Sequence, residues 1–151
     1  MMRDTSPIIE VAEENLDEGN QVILEGLRAF NGAQLGRDAT PQPISVFVRD
    51  KNGAVVGGLI GQMLWNWLYV DKLWLPDSFR STGVGGDVLA AAEERAIARG
   101  CRWAHLQTLG FQALPFYERR GYTVFGVLDG YPPTSKRYYL RKSLVPDDAQ
   151  A

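Results

Sequence analysis

The spacing of apolar positions changes several times along the chain, and each change marks an element. "SPIIEVA" (6–12) is a short apolar run that reads as a first strand. In "NQVILEGLRAF" Ile23, Leu27 and Phe30 recur at helical spacing, which predicts an amphipathic helix. "GRDATPQP" reads as a loop. "ISVFVRD" and "AVVGGLIGQML" then flank Asp50-Lys51-Asn52-Gly53, and Asn-Gly between β-rich runs is the strongest short hairpin signal. Residues 54–70, "AVVGGLIGQMLWNWLYV", carry no charge. A membrane helix wants about 20 apolar residues. This run is shorter and is interrupted by glycines, Gln62 and Asn66, so it reads as two buried strands joined near Trp65-Asn66. The second of them, "WLYVDKLWL", is stopped by Pro76.

"FRSTGVGGDVLAAAEERAIARG" (79–100) follows as a glycine-rich turn running into a helix. Val88, Leu89, Ala92 and Ala96 share one face of that helix, while Asp87, Glu94 and Arg95 lie towards the other. Gly100 is placed to cap its C-terminus. "RWAHLQTL" reads as a strand. "QALPFYERRG" reads as a short helix, with Pro115 in its first turn and Gly121 after its end. "YTVFGVL" and "KRYYLRKSL" close the chain as strands, and "VPDDAQA" reads as a frayed tail. The order is β-α-β-β-β-α-β-α-β-β. It implies an α/β (mixed α+β) fold: a twisted, mostly antiparallel mixed sheet of about six or seven strands with helices on both faces. One domain spans 1–151, with residues 1–6 and 144–151 expected to fray.

Composition narrows the classes of function. At 151 residues and 45% apolar content, the chain suits one globular domain whose core needs no staples. A net charge of −2, with Lys and Arg dispersed, argues against nucleic acid as the main partner. One cysteine, Cys101, forms no internal disulfide and reads as a small apolar filler. With one His and one Cys in the chain, a structural zinc site is disfavoured and no metal is expected. Met1 to Glu10 carries acidic residues and no apolar core, so no signal peptide is visible. The expected setting is cytoplasmic, with no membrane partner.

The glycine-rich turn is the main chemical signal. A P-loop needs Gly-Lys-Ser/Thr, yet Gly85-Gly86 is followed by Asp87. The dinucleotide fingerprint needs glycine where Val88 stands. What remains is R-x-x-G-x-G, from Arg80 to Gly85, between a buried strand and a helix. Free N–H groups and the helix dipole at such a start favour a diphosphate. Gly83 and Gly85 let backbone approach closely, and Arg80 either contacts the anion or pins the loop. The plain alternative is a glycine-bearing helix cap beside a surface arginine.

At this point the chain resembles the GNAT family, the GCN5-related N-acetyltransferases. "LWLPDSFRSTGVGGDVLAAAEERAIARGC" is similar to that family's acetyl-CoA motif of strand, R-x-x-G-x-G loop and helix. "GFQALPFYERRGYTVFG" resembles its second motif, Asn-x-x-Ala-x-x-x-Tyr-x-x-x-Gly-Phe, with Ala113, Tyr117 and Gly121 in register. Gly110 stands where the family often has Asn, and Tyr122 where it has Phe. The resemblance runs from about residue 44 to 143. It implies that acetyl-CoA is the cosubstrate. Its pyrophosphate would sit on the backbone of Arg80, Ser81, Thr82, Gly83, Val84, Gly85 and Gly86. Its pantetheine arm would pair with main chain near Trp74 and Leu75, between "WLYVDKLWL" and "RWAHLQTL", which the family splays apart. Ala113 and Phe116 belong to the same cosubstrate-binding set.

Acetyl transfer to an amine needs a proton removed, because an alkylammonium has a pKa near 10. It needs donors at the oxyanion. A proton for the departing thiolate helps. The resemblance implies Tyr117 for the last role and a main-chain N–H near Leu73 for the oxyanion. Tyr69, Asp71 and Leu73 are expected to alternate onto one strand face. An acidic residue in an apolar strand needs a partner or a purpose, so Asp71 is the candidate base or amine anchor, with a plain ion pair as the alternative. His105 and Gln107 share a face; the lone histidine reads first as a structural residue. Trp65, Trp67, Phe30 and Tyr131 are candidates for an acceptor pocket, or simply core. The expected function is direct acetyl transfer to a primary amine of a small molecule. The alternatives are a protein lysine or N-terminal acetyltransferase, a non-catalytic acyl-CoA sensor, and a nucleotide-binding module. A homodimer is expected, because terminal strands leave edges that want covering.

Overall fold

A computed structural model of the protein describes residues 6–111 and 113–146. These fall into two compact units, Met1–Thr40 and Pro41–Ala151. In the first, helix α1 spans Asp17–Leu35 and ends at Gly36, whose left-handed backbone (φ 63°) turns its N–H onto the Gly32 carbonyl. The helix extends beyond the expected 20–30 on both sides, and none of its residues is buried. The strand expected over 6–12 is absent; Ser6–Ala12 is irregular. A strand exists only with a partner for its ladder, and none of the sheet's strands pairs with this run. Residues 1–5 and 147–151, which hold most of the tails expected to fray, lie outside the described residues.

The second unit carries the sheet. Strands β1 (Gln42–Arg49), β2 (Val55–Leu64) and β3 (Trp67–Trp74) form an antiparallel meander. Helix α2 (Val84–Ala98), β4 (Trp103–Leu109), helix α3 (Leu114–Arg119), β5 (Thr123–Asp129) and β6 (Lys136–Ser143) follow. The spatial order is β1-β2-β3-β4-β6-β5, and only β3 and β4 are parallel. This is the mixed, mostly antiparallel sheet that the order of elements implies. The β2–β3 turn is the expected one: Trp65 (φ 50°) and Asn66 (φ 71°) both take the left-handed conformation that matches a two-residue hairpin to strand twist.

Within this unit α2 and α3 cover the same face. Val88, Leu89, Ala92 and Ala96 of α2 are buried against Leu59, Leu68, Val70, Ala104, Leu106 and Leu140 of the sheet, and Tyr117 of α3 joins the same cluster. Cys101 is buried there as expected, and burial pushes its thiol up from the ordinary value. The chain stays tied to the sheet beyond β6: Leu144 donates its N–H to the Arg102 carbonyl at 2.8 Å and packs on the core, so fraying does not begin at 144.

One irregularity shapes the site. Gly61 pairs with Val70 and Ile60 with Lys72, which leaves Asp71 as an extra residue bulged from β3. A Cβ on Gly61 would lie 2.2 Å from the Tyr69 carbonyl oxygen, so only glycine lets the two strands approach here. The bulge resets the alternation of β3. Leu68 and Val70 are buried before it, and Leu73 and Leu75 turn inward after it. The expectation that Tyr69, Asp71 and Leu73 share one face is therefore corrected: Leu73 faces the core.

Candidate active site

The parallel pairing of β3 with β4 runs from Trp67–Trp103 to Val70–Leu106 and stops. Beyond it β3 continues to Trp74 and β4 to Leu109. The bulge at Asp71 lies at the point of separation. Two neighbours that part in mid-sheet leave facing backbone groups without a strand partner. Such groups are free to bind an extended ligand arm. Of the residues predicted to hold that arm, Leu75 is buried and Trp74 is 59% exposed.

The loop after β3 leads to the glycine-rich start of α2. A short 3-10 turn, Asp77–Phe79, follows Pro76. Arg80 reaches back from it: its Nε donates to the Leu75 carbonyl at 3.1 Å, and its guanidinium pairs with Asp77 at 2.7 Å. These two contacts tie Arg80 to its own loop. Thr82 donates its hydroxyl to the Phe79 carbonyl, and Ser81 takes a left-handed φ of 61°. Gly83 is the N-cap with φ 90°, and no side chain caps the helix. The first helical N–H to find an acceptor is that of Asp87, on the Gly83 carbonyl. The N–H groups of Val84, Gly85 and Gly86 precede it and point out of the helix end. An added Cβ at Gly83 would meet nothing within 4 Å. The start of α2 is thus an open surface of backbone donors at the positive end of a dipole, which suits a diphosphate.

Helix α3 closes one side of this surface. Ala113 is its N-cap, and Phe116 sits where a Cβ on Gly85 would come within 3.3 Å of its ring. Arg120 lies over that ring at 3.9 Å, donates to the Phe116 carbonyl at 3.2 Å, and occupies the space a Cβ on Gly86 would need. Arg120 belongs to neither sequence motif as a marked position. Its only signal was a second arginine before Gly121. Gly110, at the position of the family's Asn, donates its N–H to the Lys136 carbonyl at 2.9 Å and so ties the end of β4 to β6.

Tyr117 is buried between Phe116 and Tyr122, with edge-to-face ring distances of 5.1 and 5.8 Å. Burial pushes its phenol up to about 12. No hydrogen bond from its hydroxyl is found among the described residues. Tyr122 differs. Its hydroxyl donates to Glu93 at 2.8 Å, and Lys142 pairs with the same carboxylate at 2.9 Å. That lock between α2, β6 and the start of β5 explains a tyrosine where the family has Phe. Burial and the Glu93 charge both push the Tyr122 phenol far up.

Asp71 stands outside that core cluster. Its half-exposed carboxylate meets Lys72 Nζ at 3.1 Å. A pair so exposed contributes about 0–1 kcal/mol, so it does not explain why an acid is placed at the fork.

The other face of the sheet carries groups that the sequence showed only in part. Trp67 and Trp103 stack at 5.4 Å, and Tyr69 stacks on His105 at 4.8 Å. Burial lowers the His105 pKa, which keeps the imidazole neutral. Gln107 donates to the Tyr69 hydroxyl at 3.0 Å and accepts from Arg137 at 2.8 Å. Arg137 in turn lies 3.7 Å over the Tyr131 ring. Of the proposed pocket residues, Trp67 and Tyr131 are in these contacts, Trp65 forms the hairpin turn, and Phe30 lies on α1. Among the described residues no helix is long and apolar enough to cross a membrane.

Comparison with known proteins agrees with this geometry. Residues 12–122 match the family model described as Acetyltransferase (GNAT) family. An acetyltransferase of Agrobacterium fabrum is 37% identical over 111 residues, 74% of this chain and 80% of that one. The blasticidin-S acetyltransferase of Streptomyces morookaense is 36% identical over 107 residues, 68% of this chain and 79% of that one. The crystal structure of a protein from Agrobacterium tumefaciens, assigned as an acetyltransferase, has a TM-score of 0.85 and 31% identity, covering 91% of this chain and 99% of that one.

Proposed function

The chain belongs to the GNAT family of acetyltransferases, and from that premise we propose that it transfers acetyl directly from acetyl-CoA to the primary amine of a small molecule. It is an acyltransferase, and acetyl-CoA is the acetyl donor of its family. One observation carries the proposal. Beyond the fork Leu75 lies against Gly85 at the uncapped start of α2, and Tyr117 shares the core cluster with Val70 and Leu106, the last pair before the fork.

The roles follow from what each group can do. Backbone N–H groups from Gly83 to Gly86 bind the diphosphate, while Arg80 holds the loop in shape from the Leu75 carbonyl. Phe116 and Ala113 form the wall beside them. Main chain from Leu73 to Leu75 pairs with the pantetheine arm, and the Leu73 N–H serves the oxyanion. Transfer forms one C–N bond and breaks one C–S bond. The proton lost by the ammonium is balanced by the one the sulfur gains. Asp71 receives the first proton, or steadies the cationic amine before it is lost. Tyr117 is the donor facing the departing sulfur, supported by a hydroxyl that keeps its proton at every working pH.

Small amines are favoured over protein acceptors because no long acidic or basic docking segment runs along the chain. A homodimer belongs to the same reading. β1 and β5 are sheet edges, and β5 exposes Val124, Val127 and Leu128. Light scattering that gives a monomer mass at all concentrations would remove that part. So does the cytoplasmic setting, which fractionation tests. The ligand is tested by thermal unfolding with acetyl-CoA, CoA, NAD and ATP. A ligand that binds only the native state raises the midpoint. A rise with acetyl-CoA and CoA alone is expected; no rise with either at millimolar ligand would return the loop to a plain helix cap.

A further inference from the structure

We propose that the sheet face opposite α2 receives the acceptor, and that Arg137 and Arg141 select an amine whose body is a planar ring bearing a carboxylate. The proposal rests on the acetyltransferase reading above and deepens it.

Residues paired across strands share a face. The register therefore places Trp67, Tyr69, Trp103, His105 and Gln107 beside Arg141 and Arg137 of β6. Tyr69 and His105 form the bridge next to the last one before the fork, and Gln107 lies just beyond it. This face is thus the side from which a second substrate reaches the fork without crossing α2 and α3. An open hollow of about 280 Å³ lies on it, lined by Trp67, His105, Phe125 and Arg141. Three of its four walls are flat rings, which suit a flat apolar body. The volume admits one ring with a short side chain.

The polar groups on this face all point to one charge. Arg141 has its guanidinium 5.9 Å from the Phe125 ring, and no carboxylate pairs with it among the described residues. Arg137 is held by Gln107 and the Tyr131 ring, yet its Nε is buried with no partner among the described residues. Arg137 does not line the hollow, so it acts on a bound anion through its charge rather than by contact. Tyr69 accepts from Gln107 and so keeps its own hydroxyl proton to donate. His105 offers a flat ring on the same face, stacked on Tyr69 at 4.8 Å. Two arginines with no acid paired to either favour a carboxylate and disfavour a polycation.

The test uses a matched pair of probes, 4-(aminomethyl)benzoate and 4-(aminomethyl)benzamide, with spermidine as the polycation. Binding is read by tryptophan fluorescence and turnover by CoA thiol release. The benzoate should be preferred about tenfold over the benzamide in kcat/KM, roughly one charge-assisted contact. Arg141→Gln and Arg137→Gln should each weaken that preference, and Arg141→Lys should restore part of what Arg141→Gln loses. Circular dichroism checks that each variant is folded. Equal handling of benzoate and benzamide, no binding of either, or a preference for spermidine overturns the proposal. If the acetyl-CoA thermal response persists in those cases, only the acceptor assignment falls; if that response is absent, the acetyltransferase reading falls with it.

Discussion

Replacing Tyr117 by Phe removes one oxygen from the core and separates chemistry from packing. The ring contacts with Phe116 and Tyr122 survive, and no hydrogen bond is lost among the described residues. Stability near neutral pH should therefore change by less than about 0.5 kcal/mol. Turnover should not be spared. The phenol is held at about 12, whereas an ordinary thiol titrates near 8.5. Complete proton transfer to a thiolate is thus uphill by about 3.5 pH units, or roughly 5 kcal/mol. On the proposed role Tyr117 should act mainly as a hydrogen-bond donor as charge builds on sulfur, which puts its expected contribution at the low end of general-acid effects, about 100-fold. Steady-state CoA release should show kcat down by about that factor and KM for acetyl-CoA little changed. The alkaline limb gives an independent check. Below the unfolded pKa of 10.0 both states hold the proton; between 10.0 and about 12 only the folded state does. Wild type should lose about 3 kcal/mol of stability relative to Tyr117→Phe as pH rises through that window. A variant with kcat within about a factor of two of wild type would refute the catalytic role and leave Tyr117 as packing.

Three further substitutions probe the scaffold. Gly61→Ala puts a Cβ 2.2 Å from the Tyr69 carbonyl oxygen, a backbone atom that cannot swing aside. It should cost about 3 kcal/mol or more, and differential scanning calorimetry should show a midpoint lower by roughly 6–12 °C. Glu93→Ala strands both Lys142 and the Tyr122 hydroxyl; urea unfolding should show a loss of about 3 kcal/mol, and a loss below about 1 would mean the lock is slack. His105 has its folded pKa below the unfolded 6.5, so native-state stability should fall as pH drops from 6.5 through the folded value and stay flat above it. His105→Phe should abolish that acid-side slope, which a pH series of urea midpoints reads directly.

The elements with strong periodicity were legible in the sequence. The α2 face, the Trp65-Asn66 hairpin and the two glycines after the helices, Gly100 (φ 92°) and Gly121 (φ 94°), all stand where spacing put them. The first strand failed because an apolar run of seven residues says nothing about whether a ladder partner exists. The face of Leu73 failed because a bulge shifts the strand's period by one, and its cause, Gly61, lies ten residues away on another strand. The R-x-x-G-x-G loop was visible as a motif, but the contacts that tie Arg80 to Leu75 and Asp77 left no mark in it. Long-range polar pairs left no signal at all. Glu93 meets Lys142 across 49 positions and Gln107 meets Arg137 across 30. Sequence spacing reports neighbours on one element, whereas these contacts depend on how the sheet is ordered.

Product stoichiometry distinguishes acetyl transfer to a small amine from its rivals. Purified protein would be incubated with acetyl-CoA and a panel of small primary amines, with lysine-containing peptides alongside. CoA release and N-acetylated product would be counted together by mass spectrometry. At least one small amine should be acetylated in equal amount to the CoA released, with both lost together in Tyr117→Phe. CoA release without N-acetyl product, or acetylation confined to the peptides, would contradict it.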